Sequence, residues 1–392
     1  MIPYGRQEIT QDDINAVVDV LESDFLTQGP MVPEFEKCIS NYCGADYAVA
    51  VNSATSALHL ACLALDLGVG DWLWTSPITF VASANCGLYC GARVDFVDID
   101  PITYNLSPHA LKKKLIQAEK KNRLPKVVIP VHLSGQSCEM EEIHKLSQQY
   151  GFKIIEDASH AIGGKYQNQP IGSNKYSDIT IFSFHPVKII TTGEGGAAVT
   201  NNRELHNKMR LLRSHGITRD HELMTQAPDG PWYYQQIELG YNYRMTDIQA
   251  ALGISQMKRL DDYINRRHEI ATKYNVLLDN LPITLPFQNT NTYTSYHLYI
   301  IRLNDDSIIS HRDLFNKLQR HNVGVNLHYI PLYKQPHYKN NGISQDKYPN
   351  SEGYYEQAIS LPIYPTLTTV EQDQVVNTLI EAIKETKYGR KK

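Results

Sequence analysis

The sequence predicts a two-domain α/β protein: a large domain on a mostly parallel sheet flanked by helices, then a smaller C-terminal α/β domain. Three observations point there. The chain has 392 residues, too many for one compact core when a domain runs to roughly 100–200 residues. Between Tyr47 and Thr200, short apolar runs alternate with segments of helical period, the pattern of parallel strands covered on both faces. After Gly240 that alternation gives way to a long helical stretch with few further strands. The expected domains are residues 1–250 and 251–392.

The strand-like runs are Tyr47–Val51, Trp72–Thr75, Val94–Asp98, Val127–Val131, Lys153–Glu156, Ile179–Phe184 and Ala197–Thr200. Helices are expected between them at Thr55–Leu67, Phe80–Cys90, Pro108–Lys120 and Glu139–Tyr150. In the first, Ala57, Leu60, Ala61 and Ala64 follow helical spacing while Leu58, Leu63 and Leu65 fill the other side. A helix apolar nearly all round is buried. Asp247 to Leu281 reads as one long helix, ended by Pro282 and Pro286. A strand at His297–Leu303, a helix at His311–His321, a strand near Val323–His328 and a helix from Thr369 to Lys387 complete the smaller domain.

Composition excludes several classes. Hydrophobic residues make up 42% and charged residues 20%, with a net charge of -4, ordinary for a globular protein. Charges of both signs are interspersed, so no basic patch predicts a nucleic-acid partner. No apolar run approaches the ~20 residues that span a bilayer, and Met1 to Glu8 has no apolar signal region. A cytoplasmic protein with no membrane partner is expected. Cys38, Cys43, Cys62, Cys86, Cys90 and Cys138 form neither a CxxC pair nor a zinc spacing, so no metal site is expected. In a reducing compartment they are expected as buried free thiols.

Open α/β sheets bind ligands beyond the carboxyl ends of their strands, and the chemistry-bearing residues follow strands. Asn52-Ser53-Ala54-Thr55-Ser56-Ala57 opens a helix whose free amides and dipole can hold a phosphate. A plain N-cap by Ser53 or Thr55 explains the same residues. The segment is not a G-x-x-x-x-G-K-[ST] loop, which argues against a nucleoside triphosphatase. Asp157 ends the Lys153 run. It is either a turn aspartate or a carboxylate aimed at a cationic ring nitrogen, and His160 follows three residues on. Lys188 lies in a loop after a strongly apolar strand. It is either a surface lysine or one whose lowered pKa suits it to a carbonyl. Gly193, Gly195 and Gly196 permit close backbone approach. Pyridoxal phosphate needs a lysine for its aldehyde, an acid for its ring nitrogen and a phosphate cup. Asp157 precedes Lys188 by 31 residues, both near strand ends, with the candidate cup upstream.

Across almost its full length the chain resembles the DegT/DnrJ/EryC1/StrS family of sugar aminotransferases. The marks are Leu26-Thr27-Gln28-Gly29-Pro30, Asn52–Ala57, Pro77-Ile78-Thr79-Phe80-Val81-Ala82, Glu156-Asp157-Ala158-Ser159-His160-Ala161 and Phe182-Ser183-Phe184-His185-Pro186-Val187-Lys188. They continue with Thr192-Gly193-Glu194-Gly195-Gly196, Gly240-Tyr241-Asn242-Tyr243-Arg244-Met245-Thr246-Asp247 and His328-Tyr329-Ile330-Pro331.

The resemblance implies a fold type I, pyridoxal-phosphate-dependent aminotransferase. It implies Lys188 as the lysine that binds the cofactor covalently, Asp157 as the partner of its ring nitrogen and His160 as the neighbour of the ring hydroxyl. Phe80 matches the stacking aromatic, and Ala54, Thr55 and Ser183 the phosphate cup. Asn242 matches a residue that reaches the phosphate from a second subunit, which implies a homodimer with shared active sites. His328 and Tyr329 match a loop that approaches the sugar nucleotide. L-Glutamate is the implied donor. Trp74-Thr75-Ser76-Pro77 and Ala84–Ala92 resemble a branch that aminates C4 of a UDP-linked 4-keto-6-deoxy-N-acetylhexosamine. Ile189 departs from the pattern, which has proline after the lysine. Dehydratase relatives carry histidine in place of the lysine. Aminotransferases of another 4-keto sugar nucleotide, GDP-perosamine-like or UDP-bacillosamine-like, and non-catalytic cofactor or sugar-nucleotide sensors are the remaining alternatives.

Overall fold

The computed structural model describes residues 1–305, 307, 309–340 and 348–389, with side chains to residue 384. Its centre is a seven-stranded sheet: β1 (Tyr47–Val51), β2 (Trp72–Thr75), β3 (Arg93–Phe96), β4 (Val127–Ile129), β5 (Lys153–Asp157), β6 (Ile179–Ser183) and β7 (Gly196–Thr200). All seven match predicted runs within three residues. The order across the sheet is β1-β7-β6-β5-β4-β2-β3. Only β7 runs antiparallel to its neighbours. The carboxyl ends of the other six strands and the amino end of β7 therefore share one edge, where Gly196 lies opposite both Val51 and Ser183.

Helices cover the sheet. Two that the sequence pattern did not single out, α1 (Gln11–Leu21) and α2 (Met31–Cys43), precede β1. The next is α3 (Ala54–Ala64), buried almost throughout as its all-round apolar pattern requires. Then come α4 (Ala82–Tyr89), α5 (Pro108–Glu119), α6 (Met140–Tyr150) and α7 (Arg203–Arg213). The helix expected from Phe80 begins two residues later, which leaves Phe80 in the connecting turn with its side chain 58% exposed.

The expected single helix from Asp247 to Leu281 is two, α8 (Asp247–Met257) and α9 (Leu260–Leu278). Tertiary pairing causes the break. Arg259 donates to both oxygens of the buried Asp13 carboxylate at 2.7 and 2.6 Å, and its own backbone leaves helical angles. At its other end, α8 opens on Asp247, whose carboxylate accepts from the Gly29 and Met31 amides at the start of α2.

The strand expected near Val323–His328 does not form. Val323 bridges to Ile2 and Asn326 to Ser360, so the segment changes partner before a ladder can grow. A small antiparallel sheet forms instead from β8 (Ile283–Thr284), β9 (Tyr299–Leu303) and β10 (Ala358–Leu361), in the order β8-β9-β10. It packs with α10 (His311–Arg320) and α11 (Thr369–Gly389).

Helix α9 belongs to two cores. Leu260, Tyr263 and Ile264 pack with the large sheet, while Ile270, Ala271, Tyr274 and Leu278 pack with the small one. Ile2 also joins the C-terminal core. We propose that the two domains divide along this helix. Among the described residues no helix is long and apolar enough to cross a membrane. All six cysteines are free; Cys38 and Cys90 are half-buried, unlike the other four.

Candidate active site

The shared edge gathers the residues that the sequence singled out. Asp157, buried at the end of β5, receives the Ser83 hydroxyl at 2.6 Å on one oxygen and the Ser159 amide at 3.1 Å on the other. Thr79 Oγ1 lies 2.8 Å from Ser83 Oγ. Because Ser83 spends its proton on the carboxylate, Thr79 is the donor to Ser83. No cation forms an ion pair with Asp157 among the described residues. A buried carboxylate without a cation is costly, and this one suits a cationic ligand atom.

Lys188 sits one turn beyond β6, its amide donating to the His185 carbonyl at 2.9 Å. Its ammonium has no hydrogen-bond partner among the described residues. Burial pulls its pKa down to about 8, against the opposing pull of the Asp157 charge. His160 is buried between Ser134, whose amide faces Nδ1 at 3.3 Å, and Tyr329, whose hydroxyl lies 3.0 Å from Nε2. Burial, with Lys188 and His328 nearby, holds its pKa well below the usual histidine value.

At the start of α3, Ser53 is the N-cap and accepts the Ser56 amide. The plain-cap reading is therefore correct for Ser53. It leaves the Ala54 and Thr55 amides without an acceptor among the described residues, as the first turn of a helix must. Gly196 packs against this turn so closely that a Cβ there would lie 2.4 Å from Ala54 N. Ser183, opposite Gly196, is buried beside it.

Tyr329 and His328 face different ways. The Tyr329 ring centroid lies 6.3 Å from that of Phe80 and its hydroxyl meets His160. The buried His328 turns inward: Nδ1 lies 2.8 Å from Ser360 Oγ, and its carbonyl accepts the Tyr354 hydroxyl. Asn242 is exposed on a segment that bridges to Ser214. It makes no hydrogen bond to Lys188, Asp157 or His160 of its own chain. Sequence reasoning missed Ser83, Thr79 and Ser134. The spacing of Thr79 and Ser83 around Phe80, one helical turn apart after β2, was the available signal for the first two. Ser134 left no signal.

Residues 7–380 match the DegT/DnrJ/EryC1/StrS aminotransferase family. The chain belongs to that family. As a member it is a pyridoxal-phosphate-dependent sugar-nucleotide aminotransferase. It is 38% identical over 392 residues to the UDP-4-amino-4,6-dideoxy-N-acetyl-beta-L-altrosamine transaminase of Campylobacter jejuni, covering 99% of each chain. The structure of Helicobacter pylori PseC, an aminotransferase involved in pseudaminic acid biosynthesis, superposes with a TM-score of 0.89. The identity is 30%, over 98% of this chain and 99% of that one. A Streptococcus pneumoniae protein assigned as a sugar aminotransferase, in its pyridoxamine-phosphate form, superposes with a TM-score of 0.90 at 30% identity, covering 98% and 100%.

The site's own chemistry fits the cofactor. The free Ala54 and Thr55 amides suit its phosphate, the Asp157 carboxylate, which makes no ion pair, its ring nitrogen, and the unpartnered Lys188 amine its aldehyde.

Proposed function

We propose that the enzyme moves the amino group of L-glutamate to C4 of a UDP-linked 4-keto-6-deoxy-N-acetylhexosamine, on the route to pseudaminic acid, as a homodimer. The single observation that carries the reaction is the placement at one sheet edge of a buried lysine with a lowered pKa and no hydrogen-bond partner beside a buried carboxylate that makes no ion pair. The likeness to the Campylobacter jejuni transaminase and to PseC supports the substrate.

When bound, pyridoxal phosphate supplies an electron sink and a carrier for the amino group. Ala54, Thr55 and Ser183 would hold its phosphate, joined by Asn242 of a second copy. Phe80 would cover the ring. Asp157, fixed on both oxygens by Ser83 and Ser159, would keep the ring nitrogen protonated, since an ionised neighbour favours the charged form. Lys188 Nζ, whose pKa burial lowers, would take a proton from the donor Cα and return one to the sugar C4. A base works best when its pKa lies near the operating pH. His160 would remain neutral beside the ring hydroxyl, and the His328–Tyr329 loop would border the sugar.

The test is a panel of UDP- and GDP-linked 4-keto sugars incubated with the purified enzyme and L-glutamate, read by mass spectrometry. We expect an amine on the UDP-linked N-acetylated sugar with an equal yield of 2-oxoglutarate. Preference for a GDP-linked sugar would overturn the substrate assignment. No amination of any sugar would overturn the proposal.

A further inference from the structure

The hydrogen bonds around His160 have a direction. The Ser134 amide points at Nδ1, and an amide can only donate. Nδ1 must therefore carry a lone pair, and the proton of the neutral ring must sit on Nε2. Protonation of both nitrogens would set two N–H groups against each other, and burial beside Lys188 opposes it. Nε2–H then donates to the Tyr329 oxygen 3.0 Å away. The phenolic proton of Tyr329 cannot point back at His160.

The first link is held firmly. Ser134 sits at φ 62° and ψ 0°, a left-handed conformation that few residues other than glycine adopt. Its carbonyl accepts the His297 amide at 2.8 Å. The next residue, Gly135, has φ 98°, and a Cβ there would lie 2.2 Å from Ser295 Oγ and 2.9 Å from the His160 carbonyl. Ser295 in turn donates to that carbonyl at 2.7 Å. The turn is clamped between His160 and residues 295–297, and in its left-handed conformation Ser134 aims its N–H at Nδ1. Burial and the Asp157 charge push the Tyr329 phenol up, so it keeps its proton.

We infer that Ser134 and His160 are positioning residues that polarise Tyr329, and that Tyr329 is a hydrogen-bond donor to an electron-rich oxygen of the occupied site. This rests on the function proposed above. Two oxygens share that chemistry: the keto oxygen of the sugar and the ring oxygen of the cofactor.

The test begins with Tyr329→Phe in the cofactor-loaded enzyme. If the cofactor oxygen is the acceptor, its visible band or the pH dependence of that band shifts before any substrate is added. If the sugar oxygen is the acceptor, the band and the glutamate half-reaction stay within about twofold, while the sugar half-reaction slows roughly 10²-fold, as when one donor to a developing oxyanion is lost. No change in either would overturn the inference. Direction is tested at His160. In His160→Gln the side-chain oxygen can accept from Ser134 and the amide can donate to Tyr329, so the chain keeps its polarity. In His160→Glu the carboxylate accepts from both, and the Tyr329 proton turns inward. Both variants lose the imidazole, so direction is read from their difference: the Glu variant should fall further than the Gln variant in whichever readout Tyr329→Phe changes, and equal behaviour refutes the directional chain. A ¹⁵N spectrum of the histidines should place the His160 proton on Nε2, and a proton on Nδ1 would refute it independently of catalysis. The band, the glutamate half-reaction and the ¹⁵N spectrum do not depend on the sugar, so a wrong substrate would leave them interpretable.

Discussion

Gly196→Ala tests whether the first turn of α3 is the phosphate cup. The added Cβ would lie 2.4 Å from Ala54 N, 2.6 Å from Ala54 Cα and 2.6 Å from Ser53 C. All three are backbone atoms, so no side-chain rotation relieves the contact. Ordinary van der Waals separation requires β7 and the start of α3 to part by about 1 Å. Overpacking of this kind costs about 1–3 kcal/mol. If the shift falls on the Ala54 and Thr55 amides, cofactor affinity should weaken roughly 5- to 150-fold. The assay is titration of cofactor-free protein with pyridoxal phosphate, followed by absorbance, alongside melting curves of free and loaded forms. The gap between the two melting temperatures should shrink in the variant. Gly193→Ala is the control. Its φ is 78° with nothing within 4 Å, so it should cost some stability and leave affinity unchanged. Wild-type affinity in Gly196→Ala, with both forms destabilised equally, would refute the placement of the cup.

Three further outcomes follow from the site. Asp157→Asn should keep the fold and lose transamination roughly 10²-fold or more, because a neutral amide cannot hold the ring-nitrogen proton; steady-state turnover near the wild-type rate would remove that role. In the cofactor-free protein Lys188 titrates at about 8 instead of 10.5. Between those values the unfolded chain binds more protons than the native one, so stability should rise with pH across that window. Lys188→Met should flatten the rise in denaturant melts taken from pH 7.5 to 10.5. Mixing inactive Lys188→Ala chains with inactive Asn242→Asp chains should restore part of the activity, since one hybrid site would be intact; no restoration would mean that Asn242 serves its own subunit.

The sequence's legibility followed the range of the forces involved. Each strand of the large sheet is a local run of buried apolar residues, and Asp157, Lys188 and the α3 amides follow such runs directly. Their position relative to a strand could be read without knowing what lay beside them. The failures are places where a distant partner overrode local pattern. Arg259 sits in helix-compatible sequence, yet its pairing with Asp13 ends α8 early. Val323–His328 has strand character, but Ile2 and Ser360 each claim a different part of it.

The sequence by itself determined the layered α/β architecture, the family and the order of chemical groups along the sheet edge. These depend on hydrophobic period and on residues a few positions from a strand end. Only the tertiary structure decided how those groups are aimed. Ser83 reaches Asp157 across 74 residues, and Tyr329 reaches His160 across 169. The tautomer of His160 is set by one amide in a strained turn of a third segment. A hydrogen bond depends on tenths of an ångström and on direction, and such precision exists only after packing has fixed both partners in place.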